Sequence, residues 1–97
     1  MKNKLPIHCP SCRNNLAVQG LICESCKTSV SGLYQMPLLL QLSPEQQQFI
    51  VSFVKSSGSL KDMASKMGLS YPTVRNMLDA LINDIQTLEN NENQLAV

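Results

Sequence analysis

The sequence predicts an α+β protein of two small modules: an N-terminal β unit built around four cysteines, then a three-helix unit with an extended last helix. Three observations predict it. Cysteines occur only as two Cys-x-x-Cys pairs, Cys9/Cys12 and Cys23/Cys26. At Ser43 the apolar residues change from short strand-like runs to helical spacing. Ala64, Gly68 and Val74 then stand at the spacing of two helices joined by a tight turn.

A chain of 97 residues is one ordinary domain or two very small ones. Pieces below about 40 residues usually need a metal, disulfides or a partner to fold. The thiols sit where such help is needed, and everything after Cys26 must fold without them. The expected boundaries are 1–37 for the cysteine module, 38–42 for an apolar connector, 43–90 for the helical domain and 91–97 for a flexible tail.

In the first module, Leu16-Ala17-Val18 and Leu21-Ile22 read as short strands around a Gln19-Gly20 turn. Val30 and Leu33-Tyr34 add a third. Pro37-Leu38-Leu39-Leu40-Gln41-Leu42 is too apolar for a solvated linker and is expected to pack on something. Ser43, Pro44 and Gln46 then supply an N-cap, a first-turn proline and a capping-box partner. Phe49, Ile50, Phe53 and Val54 share one face of that helix, and Gly58 stops it. The second helix starts from Ser59 and carries Leu60, Met63, Ala64 and Met67 to Gly68. The third opens at Ser70 or Tyr71, since Pro72 disfavours helical geometry in the residue before it. Its apolar positions are Val74, Leu78, Leu81, Ile85 and Leu88.

The cysteine spacing carries chemistry. Two residues between thiols let one tight turn present both sulfurs to one ion, and ten residues between the pairs form a hairpin that supplies the other half of a tetrahedron. Four soft ligands with no water position select zinc, or iron in a minority of cases. Cys9, Cys12, Cys23 and Cys26 are therefore expected to hold one structural Zn²⁺ in a zinc ribbon. A disulfide pair or thiol redox switch is the alternative, although a thioredoxin-like motif would lie beside a βαβ pattern that is absent here. His8 adjoins a filled shell and reads as a solvated neighbour. Arg13 and Lys27 take the places where such knuckles often have Gly, at a cost on the order of 1 kcal/mol each.

Charge is nearly balanced, with a formal net of +1. Lys2, Lys4, Arg13 and Lys27 against Glu24 give the first 42 residues +3. Lys55, Lys61, Lys66 and Arg75 against Glu45, Asp62, Asp79, Asp84, Glu89 and Glu92 give the rest −2. This is not the strong basic footprint of many nucleic-acid binders. No apolar run suits a secretory signal or reaches the roughly 20 residues of a membrane span. The expected setting is the cytoplasm, where paired cysteines more often bind metal than form disulfides.

In the helical unit Ala64 allows close helix approach, Gly68 supplies positive φ, and Val74 packs back beneath the preceding helix. This is a helix-turn-helix. Its second helix would enter the major groove of double-stranded DNA by its first residues, Ser70, Tyr71, Thr73, Arg75 and Asn76. Arg75 suits guanine and Asn76 adenine, while Ser70 and Tyr71 suit phosphates. Lys61 and Lys66 would cross the DNA backbone. The same three-helix shape also serves protein docking, in which case Arg75 is a solvated side chain; Asp79 and Asp84 would repel DNA if they faced it. Leu81, Ile82, Ile85 and Leu88 extend past the three-helix core and need cover. A homodimer through the last helix, another protein, or the connector or ribbon of the same chain would each supply it.

Cys9-Pro10-Ser11-Cys12, Cys23-Glu24-Ser25-Cys26, Leu42-Ser43-Pro44-Glu45-Gln46 and, above all, Leu69-Ser70-Tyr71-Pro72-Thr73-Val74-Arg75-Asn76 resemble the small prokaryotic family called domain of unknown function 2089. The resemblance covers about residues 7–88 and implies a zinc ribbon followed by a helix-turn-helix, usually described as a transcriptional regulator. The expected function is thus a bacterial DNA-binding regulator with a structural zinc. The alternative is an adaptor docking RNA polymerase or another regulator through the ribbon or the apolar stripe. Neither an acid–base pair nor a phosphate-cradling Gly-rich loop is present, so no enzyme is expected.

Overall fold

The computed structural model describes residues 4–95 along the backbone, with side chains as far as Asn91. The chain divides into two compact units, Met1–Gln41 and Leu42–Val97.

The first unit is a β-hairpin preceded by a smaller turn. Strands β1 (Val18–Ile22) and β2 (Ser29–Tyr34) pair antiparallel, with Ile22 opposite Ser29 and Gly20 opposite Ser31. The expected turn at Gln19-Gly20 is not there. Both residues lie inside β1, and the chain reverses instead through the second cysteine pair, between Ile22 and Ser29. The knuckle is itself a tight turn closed by its own hydrogen bonds, which removes the need for another. The register slips between Val18, opposite Tyr34, and Gly20, opposite Ser31, so β2 carries an extra residue. Gly32 lies in that bulge, with the Tyr34 ring folded over it where a Cβ would otherwise be. The connector residues Leu38–Gln41 form a 3-10 turn. Gln41 anchors it, donating from Nε2 to the Met36 carbonyl at 2.8 Å and accepting at Oε1 from Asn15 at 3.1 Å.

The second unit consists of α1 (Pro44–Lys55), α2 (Leu60–Met67) and α3 (Tyr71–Leu95). Each start has a physical cause. The Ser43 hydroxyl accepts from the Gln46 N–H at 3.2 Å, while Gln46 Oε1 accepts from the Ser43 N–H at 3.0 Å, a complete capping box. Ser59 caps α2 through the Asp62 N–H. Ser70 caps α3 through the Thr73 N–H at 3.3 Å, which resolves the choice between Ser70 and Tyr71. At the end of α1 the left-handed position falls on Ser57 (φ 53°) as well as Gly58, with Gly58 N–H bonded to Phe53 O and Ser57 N–H to Val54 O.

Leu42, Phe49, Leu60, Met63, Ala64, Val74 and Leu81 form one buried cluster, and Ile50, Phe53, Leu78, Ile85 and Leu88 pack against it. Met63 and Val74, at 1% and 0% exposed, are its centre. α2 packs against both α1 and α3. The structure bears on which cover the last-helix stripe has. Leu81 belongs to the core of its own chain, and Ile85 and Leu88 lie partly buried against that core. Of the four residues expected to dock a partner, Ile82 alone is classed as exposed. Leu42, Phe49, Leu60, Met63 and Val74 of the same chain share that cluster, so part of the cover is intramolecular. The helix also runs on to Leu95, so the segment read as a flexible tail, 91–97, is helical over its described part, and residues 96 and 97 lie outside the described residues. Among the described residues no helix is long and apolar enough to cross a membrane.

Candidate metal centre and nucleic-acid interface

The two cysteine pairs are built alike. The Cys9 N–H bonds the Asn14 carbonyl and the Arg13 N–H bonds the Cys9 carbonyl; the Cys23 N–H bonds the Thr28 carbonyl and the Lys27 N–H bonds the Cys23 carbonyl. All four bonds are 2.8 Å. Each turn closes through a residue in the left-handed region, Arg13 at φ 67° and Lys27 at φ 66°. These are the two positions where the spacing alone required it. The first turn is held by an isolated bridge between His8 and Asn15, the second by the β1–β2 hairpin.

The turns also aim donors at sulfur, which favours thiolate over thiol. The Cys9 pKa is lowered, first by the Cys12 backbone N–H and then by the Ser11 N–H, which lies 3.4 Å from Cys9 Sγ. Cys26 is brought from 9.0 to about 7, chiefly by the Thr28 hydroxyl 3.0 Å from its sulfur, then by the Thr28 N–H and the Cys23 side chain. Thr28 is a site residue that sequence reading missed; its only signal was a hydroxyl two places beyond the last cysteine.

All four thiols are free. Hydrogen bonding within Cys9/Cys12 and within Cys23/Cys26 places the members of each pair together. Among the described residues, however, no group of three or more His, Cys, Asp or Glu side chains is gathered to hold a metal ion. The structure therefore contains two preformed half-sites. Their donor set, four thiols with lowered pKa values in two of them and a N–H-lined turn in each pair, fits a tetrathiolate metal.

In the helical unit the three signature residues do what their spacing required. Ala64 and Val74 are buried. Gly68 ends α2 at φ 69°, its N–H on Ser65 O and the Leu69 N–H on Ala64 O, which closes a Schellman turn. The seven residues expected at DNA are all on the outside: Lys61 and Lys66 on α2, and Ser70, Tyr71, Thr73, Arg75 and Asn76 at the start of α3. Ser70 Oγ and Thr73 Oγ1 lie 2.8 Å apart, so these two hydroxyls partner each other as well as the cap. The acidic residues of α3 are engaged too. Asp84 accepts from Gln46 Nε2 at 2.6 Å and is thereby turned toward α1. Asp79 Oδ1 lies 3.4 Å from Arg75 Nε, one helical turn back.

Two family models match the chain. One, described as DUF2089 zinc ribbon, covers residues 9–39; the other, domain of unknown function (DUF2089)-HTH, covers residues 42–88. Their boundary falls beside the division between the two structural units. No curated protein and no solved structure matches the chain. The chain belongs to the DUF2089 family, with a zinc ribbon followed by a helix-turn-helix.

Proposed function

We propose that this protein is a cytoplasmic, bacterial DNA-binding transcriptional regulator in which α3 reads the major groove from its N-terminal end. The observation that carries the reading is the division of α2 and α3 into two faces. Ala64 and Val74 are buried on one face and Gly68 turns the chain between them, while Lys61, Lys66, Ser70, Tyr71, Thr73, Arg75 and Asn76 are exposed on the outside. Lys61, Lys66 and Arg75 against Asp62 give this stretch a local +2. The start of α3 adds N–H groups and the positive end of the helix dipole, both suited to a phosphate.

One zinc ion on Cys9, Cys12, Cys23 and Cys26 is part of the proposal. These four thiolates would hold it, and once bound it would supply a redox-inert cross-link between the two cysteine turns, so that metal-binding free energy would become folding free energy. The residues themselves supply preformed pairs with sulfur-directed donors. We assign the protein no catalytic activity. Nor does the reading need a homodimer, since Leu81, Ile85 and Leu88 are covered within the chain.

Fluorescence anisotropy of the zinc-loaded protein with a random duplex, at about 50 and 200 mM salt, tests the reading. Binding that weakens steeply with salt and is lost on replacing Arg75 and Asn76 by Ala supports it. A folded, metal-replete protein that does not bind at the lower salt refutes it and favours the adaptor, with Ile82 and the exposed ribbon as the surfaces to examine.

A further inference from the structure

We propose that Asp79 is a positioning residue for base recognition, holding the Arg75 guanidinium so that its outer edge addresses a guanine. The inference rests on the DNA-binding reading of α3 and identifies how that helix would discriminate between bases.

Tyr71, Arg75 and Asp79 follow one another at steps of four and so share one strip of α3. The carboxylate contact is to Nε, the inner edge of the guanidinium, at 3.4 Å. A guanidinium has five N–H donors in a rigid fork. Engaging Nε leaves the paired Nη groups free, and those are the donors that bind guanine O6 and N7 side by side. The ion pair also favours the Arg75 rotamers that keep Nε beside the carboxylate, a modest bias on an exposed helix face. Both side chains are about half exposed, at 53% and 54%, so the pair lies within reach of a groove occupant and does not belong to the core.

Asp84 is drawn toward α1 by Gln46, whereas Asp79 stays beside the one arginine at the start of α3. A carboxylate so close to phosphates lowers affinity for any duplex. It is tolerable where it improves discrimination, a trade between affinity and specificity. The two effects have opposite signs on removal, and this separates a positioning residue from a merely structural one.

The test uses the full-length, zinc-loaded protein and a randomised duplex library, selecting bound sequences with wild type, Asp79→Ala, Asp79→Glu and Arg75→Ala. Wild type is expected to prefer G at one position. Asp79→Ala, which removes both the charge and the acceptor, is expected to bind random duplex severalfold more tightly while its preference for that G falls about fivefold or more, toward the Arg75→Ala value. Asp79→Glu, which keeps the charge, is expected to recover part of the preference. Wild-type preference retained in Asp79→Ala would overturn the inference while leaving DNA binding intact. Absence of wild-type binding to any duplex would overturn both.

Discussion

The two units of this small protein contrast in how they hold a fold. In the helical unit seven apolar side chains share one buried cluster, and its helix starts are capped by Ser43, Ser59 and Ser70. In the ribbon every residue of β2 is exposed, and Leu21, Ile22, Val30 and Leu33 stand 57%, 63%, 48% and 82% open. Strand pairing and the two knuckles do the work there, and a two-stranded hairpin is at best marginally stable in water. Met36 is the one buried side chain among the described residues of that unit, so the hydrophobic effect accounts mainly for the helical unit, and the ribbon is left to a cross-link. Four thiols in two preformed turns are where that cross-link belongs.

Removing the metal should break the contrast most visibly. Chelation at neutral pH is expected to abolish the dispersed amide signals of residues 9–34 while those of α1–α3 persist, as read by two-dimensional NMR. Zinc affinities of such modules correspond to about 10–16 kcal/mol, far more than a hairpin supplies. A ribbon that stays ordered without metal would mean that something other than zinc holds it.

The converse perturbation is Met63→Ala, at the centre of the helical core. Deleting a buried methionine side chain costs about 2–5 kcal/mol, and urea unfolding should show that loss in α1–α3 with zinc content unchanged. Gly68→Ala sharpens the same point at lower cost. A Cβ at Gly68 meets nothing within 4 Å, so the penalty is only the left-handed backbone at φ 69°, about 1 kcal/mol. A larger loss would show that the turn depends on more than its dihedral.

The smallest effect concerns Cys26. In the folded knuckle its pKa is brought from 9.0 to about 7, chiefly by the Thr28 hydroxyl. The sign follows from the charged form being favoured: thiolate stabilisation is complete above about 9 and is lost as pH falls through about 7. A metal needs the same thiolate, so Thr28→Val is expected to lose zinc to a competing chelator more readily than wild type near pH 7. Equal retention would place the cause elsewhere in the knuckle.

Much of this was legible in the sequence wherever a local rule had a single solution. Ser43 and Gln46 specify a capping box without reference to the rest of the fold. Gly68 and the left-handed Arg13 and Lys27 follow from turn geometry alone. Long-range competition was not legible. Gln19-Gly20 carries a good turn signal, but the cysteine knuckle makes the reversal and draws both residues into β1. For Leu81, Ile85 and Leu88 the linear pattern left the cover open between a second copy, another protein and the same chain, and only placement puts Leu81 in the core with Ile85 and Leu88 packed against it. The run after Leu88 lacks an apolar period, yet it contains neither Gly nor Pro to stop a helix, and α3 continues to Leu95. Asp79 read as a charge that would repel DNA if it faced it; its contact with Arg75 appears only when both side chains are placed.

The most direct test of the central claim is to titrate a short duplex into the isotopically labelled, zinc-loaded protein and follow its amide signals. Shifts concentrated at Lys61, Lys66 and Ser70–Asn76, with β1, β2 and Ile82 little changed, are the predicted result. Shifts confined to the ribbon or to Ile82, or none at all, would contradict a helix-turn-helix that reads DNA.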